Sequence, residues 1–327
     1  MKPNLLITNL VINSEYLKKF GEFFNVHCTP TNDDLAKALA GGGIGAVSAV
    51  LISSSQKPST ELLDSLPQLE ILCCNGVGYD KLDLADMQRR RLVVTHSPGV
   101  LAPFVAEHAI GLLLAAVRRI PQVNGAVRRG EWASARAQLP TLLGGRLGIL
   151  GLGQIGSEIA RRASLAFDMT VAYHARHPRP DVAYRYCKDA VELAEASDFL
   201  VLACTGDQGT HHIVDARVLE ALGPNGYLVN VARGSVVDTT ALIDALHRNR
   251  IAGAGLDVVE GEPTVPPALL DIENAVITPH LGGRSSQAQS AMLDLVIRNL
   301  RAHFAGEPVP TPIPEWKTWG GQTRPVS

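Results

Sequence analysis

The chain has 327 residues, of which 46% are hydrophobic and 19% charged, a composition typical of a globular protein long enough for two domains. Thirty Lys and Arg against 32 Asp and Glu give a net charge of -2, which excludes an overall field that attracts nucleic acid or an acidic membrane. The five cysteines form no CxxC pattern, and the longest apolar run is too short to cross a bilayer. We therefore expect a cytoplasmic protein with reduced thiols, no metal site, and neither nucleic acid nor membrane as a partner.

Short β-like runs alternate with helical stretches from residue 1 to about residue 98. The predicted strands are 5–8, 25–28, 47–53, 69–75 and 92–96, and the predicted helices are 14–24, 33–40, 59–65 and 82–90. Strands separated by helices predict a parallel sheet that is covered on both faces. The first part of the chain is therefore predicted to be a doubly wound, flavodoxin-like α/β unit.

A turn with two glycines follows the fourth predicted strand, at Gly76-Val77-Gly78. The exposed backbone amides of such a turn can form a small nest for an anion. The same residues are also typical of an ordinary turn, so the pattern by itself leaves both interpretations open.

Residues 104–117 predict a helix that is apolar on nearly every side, with Pro103 near its start. A helix of this kind must be buried, either between two domains or against a second subunit. A homodimer is therefore one interpretation of the pattern.

A second alternating series follows, with predicted strands at 147–150, 170–174, 199–203, 227–230, 253–257 and 275–278. Its first strand runs directly into Gly151, Gly153 and Gly156, and a helical pattern over 157–167 comes next. In this context the first glycine makes a tight turn, the second lets the backbone approach a pyrophosphate, and the third allows helix and strand to pack closely. The pattern predicts a Rossmann dinucleotide-binding domain, with a glycine-rich turn in a cofactor-free α/β protein as the alternative.

The last predicted helix, 286–304, is expected to cross back onto the first domain. We therefore predict a substrate-binding domain from residues 1–98 and 287–327, a dinucleotide-binding domain from residues 99–286, and a hinged cleft between them. The proline-rich tail after Gly306 is predicted to be an extended strap, and residues 319–327 are predicted to be mobile.

Three loops at the ends of predicted strands carry Arg233, Glu262 and His280. Ligands bind at the carboxyl ends of the strands in an open α/β sheet, so these side chains are predicted to share one edge. Singly, each has a simpler explanation: a surface arginine, an acid at a helix start, and a loop histidine with its hydrogen bonds satisfied. Together they supply what hydride reduction of a 2-oxo acid needs: a planar cation for carboxylate and carbonyl, a proton donor, and a carboxylate that keeps the donor charged.

The segment after the second strand of the later series predicts the choice of coenzyme. An NAD-specific fold carries an acid there for the ribose 2′-hydroxyl, but residues 173–179 contain none. Ala175 leaves room, and Arg176 and Arg179 supply positive charge for a 2′-phosphate, so NADP(H) is preferred and NAD(H) is possible. The other predicted coenzyme contacts are Gln154, Ile155, Cys204, Thr205, Val231, Ala232, Asp257, His280 and Gly282.

Several motifs occur together in one order along nearly the whole chain. They are VGYD at 77–80, SPGVLAPFVAEHAIGLLL from residue 97, GILGLGQIG at 148–156, NVARGSVVD at 230–238, DVVEGEP at 257–263 and TPHLGG at 278–283. With these motifs the chain resembles the D-isomer-specific 2-hydroxyacid dehydrogenase family, and most of all its hydroxypyruvate/glyoxylate reductase branch. Gly283 stands where many members carry serine, so no role is carried over to that position.

The resemblance implies an enzyme that reduces a short 2-oxo acid to the D-2-hydroxy acid. It implies Arg233 as substrate anchor, His280 as acid/base and Glu262 as the partner of His280. It also implies that the amides of Val77 and Gly78 hold the substrate carboxylate, and that the protein is a homodimer built largely on the coenzyme domain.

Two other functions remain open at this point. A non-catalytic nicotinamide sensor, similar to the co-repressors that share this fold, can keep the same residues. A dehydrogenase of the same fold that acts on another small anion, such as formate or phosphite, shares Arg233 and His280.

Overall fold

The computed structural model describes residues 2–42 and 44–319, and these residues form two units. The first unit contains the described residues up to Leu101 and those from Ser286 onward, and the second is Ala102–Ser285. The two domain boundaries predicted from the sequence differ slightly from these: the first lies three residues earlier in the chain, and the second lies one residue later. Of the tail that was predicted to be mobile, all but Trp319 lies outside the described residues.

Five parallel strands form the sheet of the first unit. They are β1 (Asn4–Thr8), β2 (Asn25–Thr29), β3 (Ala49–Ser53), β4 (Ile71–Asn75) and β5 (Val93–Thr95), in the sheet order β2-β1-β3-β4-β5. The helices between them are α1 (Ser14–Phe23), α2 (Asn32–Ala40), α3 (Thr60–Asp64) and α4 (Leu84–Arg89). Each of these helices is capped at its start by a polar side chain that accepts a hydrogen bond from an amide of the first turn. The capping residues are Asn13, Thr31, Ser59 and Asp83.

Seven parallel strands form the sheet of the second unit, in the order β12-β11-β10-β9-β6-β7-β8. In chain order the elements are α5 (Ala102–Val117), α6 (Ile120–Arg128), β6 (Arg146–Leu150), α7 (Gln154–Phe167), β7 (Thr170–His174), β8 (Arg185–Tyr186), α8 (Ala190–Glu195), β9 (Phe199–Leu202), α9 (Ala216–Leu222), β10 (Tyr227–Asn230), a 3₁₀ turn (Gly234–Val236), α10 (Thr239–His247), β11 (Gly253–Leu256), α11 (Pro267–Leu270) and β12 (Ala275–Ile277). The predicted fold class, two α/β domains that are each built on a parallel sheet, is confirmed.

Helix α5 is buried within the second unit, where it packs against α7 and against β10, β11 and β12. Gly255 on β11 makes this possible: a Cβ built there would lie 3.1 Å from the Leu112 Cβ. A larger residue would therefore push α5 away from the sheet. The apolar side chains of α5 are thus buried largely against the sheet of its own unit.

The long helix α12 (Ser286–Phe304) belongs to the first unit and packs against β4 and α1. The tail then runs antiparallel beside β5, where the Ile313 amide donates to the Val94 carbonyl over 3.0 Å and Ile313 is fully buried. The prediction of an extended strap is wrong beyond this point, because a short helix, α13 (Pro314–Thr318), follows. Proline is favourable in the first turn of a helix, where its missing amide proton is not needed.

Within the described part of the chain, no helix combines the length and the apolar character that crossing a lipid bilayer requires.

Candidate functional site

The three loops that carry Arg233, Glu262 and His280 leave neighbouring strands of the second unit. Strand β11 lies between β10 and β12, and Asn230, Leu256 and Ile277 at their carboxyl ends are aligned in register. The three loops therefore start side by side at one edge of the sheet, where an open α/β fold binds its ligands.

His280 and Glu262 form a hydrogen-bonded pair at this edge. The His280 Nδ1 lies 3.0 Å from Glu262 Oε1, so the ring donates through Nδ1 to the carboxylate. The contact fixes the orientation of the ring and leaves Nε2 as the nitrogen able to serve a substrate. The His280 side chain is 47% exposed, which gives a ligand access to it.

The loop of His280 is folded around the carboxylate of Asp257, which is only 3% exposed. The amides of Leu281 and Gly282 donate to this carboxylate over 2.7 and 2.8 Å, and the hydroxyl of Thr278 donates over 2.6 Å. The amide of His280 itself donates to the Asp257 backbone carbonyl over 2.8 Å. His280 has a φ of 55°, a left-handed conformation that these bonds stabilise.

A fourth donor to the Asp257 carboxylate comes from helix α5, and the interpretation of the sequence missed it. The His108 Nε2 lies 3.0 Å from Asp257 Oδ1. Burial alone raises the pKa of Asp257, but the hydrogen bonds from His108, Thr278 and the two loop amides outweigh it and lower the pKa to about 2. The available signal was a histidine within the apolar run of residues 104–117.

The loop of Arg233 is held by a buried amide side chain. Asn230, 1% exposed, accepts a hydrogen bond from the Ala232 amide and donates one to the Arg233 carbonyl, both over 3.0 Å. Gly206 packs against the arginine stem so closely that a Cβ there would lie 2.5 Å from Arg233 Cγ. At Gly234 a Cβ would lie 2.1 Å from the Val259 carbonyl carbon, so the Arg233 loop and the Glu262 loop touch through their backbones.

The glycine-rich turn after β6 has the shape that a dinucleotide requires. Added Cβ atoms would lie 2.5 Å from the Cys204 backbone at Gly151 and 2.1 Å from the Gly151 carbonyl oxygen at Gly156, whereas at Gly153 the space is open. Gly153 caps α7, so the amides of the first turn, including those of Gln154 and Ile155, lie at the positive end of the helix dipole. These residues fit a bound pyrophosphate.

The two arginines after β7 have different surroundings. Arg179 is anchored, since it donates to the Leu152 carbonyl over 2.8 Å and through Nε to Asp181 over 2.9 Å. The Arg176 side chain is 79% exposed, and its Nη2 lies 3.7 Å from Asp207 Oδ2. Arg176 is thus the more accessible of these two cations.

The remaining predicted coenzyme residues surround the same sheet edge. Val231 and Ala232 are buried directly after β10, Ala175 follows β7, and Thr205 donates to Asp207 over 2.9 Å. Burial raises the pKa of the Cys204 thiol to about 11, so this cysteine stays protonated at neutral pH.

Val77 and Gly78, the predicted carboxylate ligands, lie in the first unit, directly after β4. The Val77 carbonyl is 2.9 Å from Nδ1 of His96, a side chain that also packs edge-on against Tyr79. The Tyr79 hydroxyl donates to Glu315 Oε2 over 3.1 Å, so the C-terminal helix α13 supports this turn.

One further group within residues 2–42 and 44–319 resembles a metal ligand set. His211, His212 and Glu260 place ligand atoms within 4.8 Å of one another. His212 Nε2 is already 3.0 Å from Glu260 Oε1, and the exposed His211 ring stacks on His212. A hydrogen-bonded pair with an exposed neighbouring ring accounts for this arrangement, and the absence of a metal site stays a prediction.

The buried Asp257 carboxylate predicts how stability depends on pH. Its pKa is depressed from 3.8 to about 2, so it contributes about 2 kcal/mol that is complete above pH ~5, about half lost at pH ~3, and gone below pH ~2. Urea unfolding should therefore find Asp257→Asn less stable at pH 7 and pH 5, with the difference narrowing at pH 3. A difference that stays constant or widens toward pH 3 contradicts this account.

A family model, described as the NAD binding domain of D-isomer specific 2-hydroxyacid dehydrogenases, matches residues 110–282. A hydroxyphenylpyruvate reductase of Plectranthus scutellarioides is 45% identical over 269 residues, which cover 82% of this chain and 86% of that protein. A glyoxylate/hydroxypyruvate reductase of Arabidopsis thaliana is 44% identical over the same shares of the two chains.

A solved structure has the same fold over nearly the entire length. It is an NADPH-dependent glyoxylate/hydroxypyruvate reductase of Sinorhizobium meliloti, in complex with NADP and malonate. Its TM-score is 0.86 at 41% sequence identity, with 96% of this chain and 98% of that chain covered.

Proposed function

Because the chain belongs to the D-isomer specific 2-hydroxyacid dehydrogenase family, we propose that it reduces a short 2-oxo acid of the glyoxylate or hydroxypyruvate type to the D-2-hydroxy acid. The observation that carries this proposal is the His280–Glu262 hydrogen bond of 3.0 Å, at the sheet edge that the Arg233 loop shares. The reduction of a carbonyl next to a carboxylate requires a proton donor and a cation, and these loops carry one of each.

In the proposed mechanism the nicotinamide, when bound, supplies the hydride to C2 of the oxo acid. Arg233 binds the substrate carboxylate and the adjacent carbonyl oxygen through its planar guanidinium. His280 donates a proton from Nε2 to that oxygen, and the Glu262 carboxylate stabilises the charged ring before the transfer.

We propose NADP(H) as the preferred coenzyme, with NAD(H) possible, and place the pyrophosphate at the turn of Gly151, Gly153 and Gly156. The accessible guanidinium of Arg176 supports this preference, as does the relative that was crystallised with NADP. Arg179 acts mainly by holding the loop after β7 against Leu152, so Arg176 provides the contact with the 2′-phosphate.

Arg176→Ala should raise the KM for NADPH about tenfold or more and leave the KM for NADH within about twofold, because only NADPH carries the 2′-phosphate. Steady-state rates at varied coenzyme concentration measure both values. Arg217→Ala is the matched control, since Arg217 is also exposed and ion-paired but lies at the start of α9. Equal increases in the KM for NADPH and for NADH would contradict the assignment of Arg176 to the 2′-phosphate.

The proposed function is tested by following coenzyme oxidation with a panel of oxo acids. Glyoxylate, hydroxypyruvate, pyruvate, phenylpyruvate, 4-hydroxyphenylpyruvate and 2-ketogluconate should each be tried with NADPH and NADH. We expect the highest kcat/KM for glyoxylate or hydroxypyruvate with NADPH, and a D product from hydroxypyruvate. If no oxo acid is reduced while the coenzyme still binds, the reductase function fails. Oxidation of formate or phosphite with NADP⁺ or NAD⁺ then distinguishes a dehydrogenase of another anion from a nicotinamide sensor.

We also propose that the protein is a homodimer that uses its second unit. Large apolar side chains exposed there include Ile120, Trp132, Leu143 and Leu165. Leu165 lies in a surface groove between α5 and α7 that is also lined by Ile110. Exposed apolar surface of this kind is typical of a subunit interface. Light scattering on the purified protein should give twice the mass of one chain, and the mass of a single chain would contradict the homodimer.

A further inference from the structure

The position of the proposed proton donor depends on a side chain from a distant part of the chain. His108 lies on α5, 149 residues before Asp257, and its Nε2 is 3.0 Å from both Asp257 Oδ1 and Thr278 Oγ1. We propose that His108 is a positioning residue that fixes the Asp257 carboxylate and, through it, the loop that presents His280. This inference rests on the proposed function.

The hydrogen-bond geometry assigns the proton on His108. The Thr278 hydroxyl already donates to Asp257 Oδ1 over 2.6 Å, so its oxygen is an acceptor toward His108. A single N–H on Nε2 therefore serves both the carboxylate and the hydroxyl. Because Asp257 is 3% exposed, water does not readily replace this donor once it is lost.

The Asp257 carboxylate is linked to the residues on both sides of His280 in the chain. Before His280, the Thr278 hydroxyl donates to Oδ1, and after it the amides of Leu281 and Gly282 donate to Oδ1 and Oδ2. His280 thus lies between residues that are all hydrogen-bonded to Asp257, and its own backbone is in a left-handed conformation with a φ of 55°. A carboxylate that rotates without His108 releases some of these bonds and moves the ring away from its productive position.

The Arg233 loop is supported separately, by Asn230. Loss of His108 should therefore affect kcat and the KM for the oxo acid differently. Asn230 contacts Arg233 and Ala232 through its own two hydrogen bonds, so the substrate anchor does not depend on His108. Loss of His108 should therefore lower kcat and leave the KM for the oxo acid nearly unchanged.

Three variants test the proposal. His108→Leu fills the space without a donor, whereas His108→Gln places an N–H at the same number of bonds from Cβ. Leu112→Ala weakens the same helix at a side chain that is 3% exposed but keeps His108, so it controls for lost stability. Below the unfolding temperature of every variant, we expect kcat to fall about tenfold in H108L, to recover to within about threefold of wild type in H108Q, and to stay unchanged in L112A.

Hydrogen exchange gives a readout that does not depend on activity. In the free protein, the amides of Leu281 and Gly282 should exchange faster in H108L than in wild type, and at the wild-type rate in H108Q and L112A. The proposal is overturned if H108L and L112A lose kcat equally, if glutamine fails to restore kcat, or if exchange in this loop is unchanged. If no variant reduces an oxo acid but the exchange pattern holds, the reductase function fails and the positioning role stands.

Discussion

Replacement of His280 by alanine is expected to lower kcat about a thousandfold with the fold intact. General acids contribute about 10² to 10⁴ in rate, and the structure gives this ring the features of one: a fixed Nδ1, an accessible Nε2 and a carboxylate partner at 3.0 Å. Initial rates with saturating NADPH and oxo acid measure kcat, and circular dichroism measures the fold.

Two further variants sharpen the result. Glu262→Gln keeps a hydrogen-bonding group beside Nδ1 but removes its charge, so kcat should fall about ten- to a hundredfold, less than in H280A. His247→Ala, at the exposed end of α10, is the matched control and should retain the wild-type rate. A kcat for H280A within about twofold of wild type would end the assignment of His280 as the proton donor.

Replacement of Arg233 by alanine is expected to reduce kcat/KM for the oxo acid about a thousandfold, with kcat and KM both affected. A guanidinium that binds both carboxylate and carbonyl oxygen contributes to substrate binding and also to the stabilisation of charge in the transition state. Arg233→Lys should recover only part of the loss, because an ammonium group does not reproduce the planar fork. Steady-state kinetics over a range of oxo acid concentrations separate the two constants.

An aldehyde without a carboxylate provides the internal control for this variant. Wild type should reduce it slowly, and R233A should lose much less with it than with glyoxylate, since one of the two interactions is already missing. Arg248→Ala removes an exposed arginine that is ion-paired on α10 and should change neither substrate. If R233A affects the aldehyde and the oxo acid equally, Arg233 does not bind the carboxylate.

The fold was predictable wherever a local pattern was strong enough to define an element. The buried parallel strands are short apolar runs bounded by turns, and α12 was predicted with the bounds that the structure gives it. Helix α6 was missed because Arg119, the residue before it, is not a typical capping residue: its side chain makes no capping hydrogen bond, and its φ is 47°. Strand β8 has only two residues and carries no pattern of its own.

Some residues of the candidate site were also predictable from the sequence, and others were not. Glu262 and His280 stand out because both lie in loops after predicted strands, and the structure places them 3.0 Å apart. His108 does not stand out, because a histidine within an apolar run does not by itself identify a partner that lies 149 residues away. Asn230 was hidden for a different reason: a polar residue at a strand end is common, and only the folded loop shows that it binds the Arg233 carbonyl.

The discontinuity of the first unit has a consequence for the order in which the protein folds during synthesis. Leu293, Val296 and Leu300 of α12 are buried in the same cluster as the residues of β1, β3 and β4. Until residue 304 has left the ribosome, this face of the five-stranded sheet is therefore covered only in part, by α1. The second unit is one continuous stretch and can fold on its own while that segment is still being translated. The part of the protein that is made first is thus the part that is completed last.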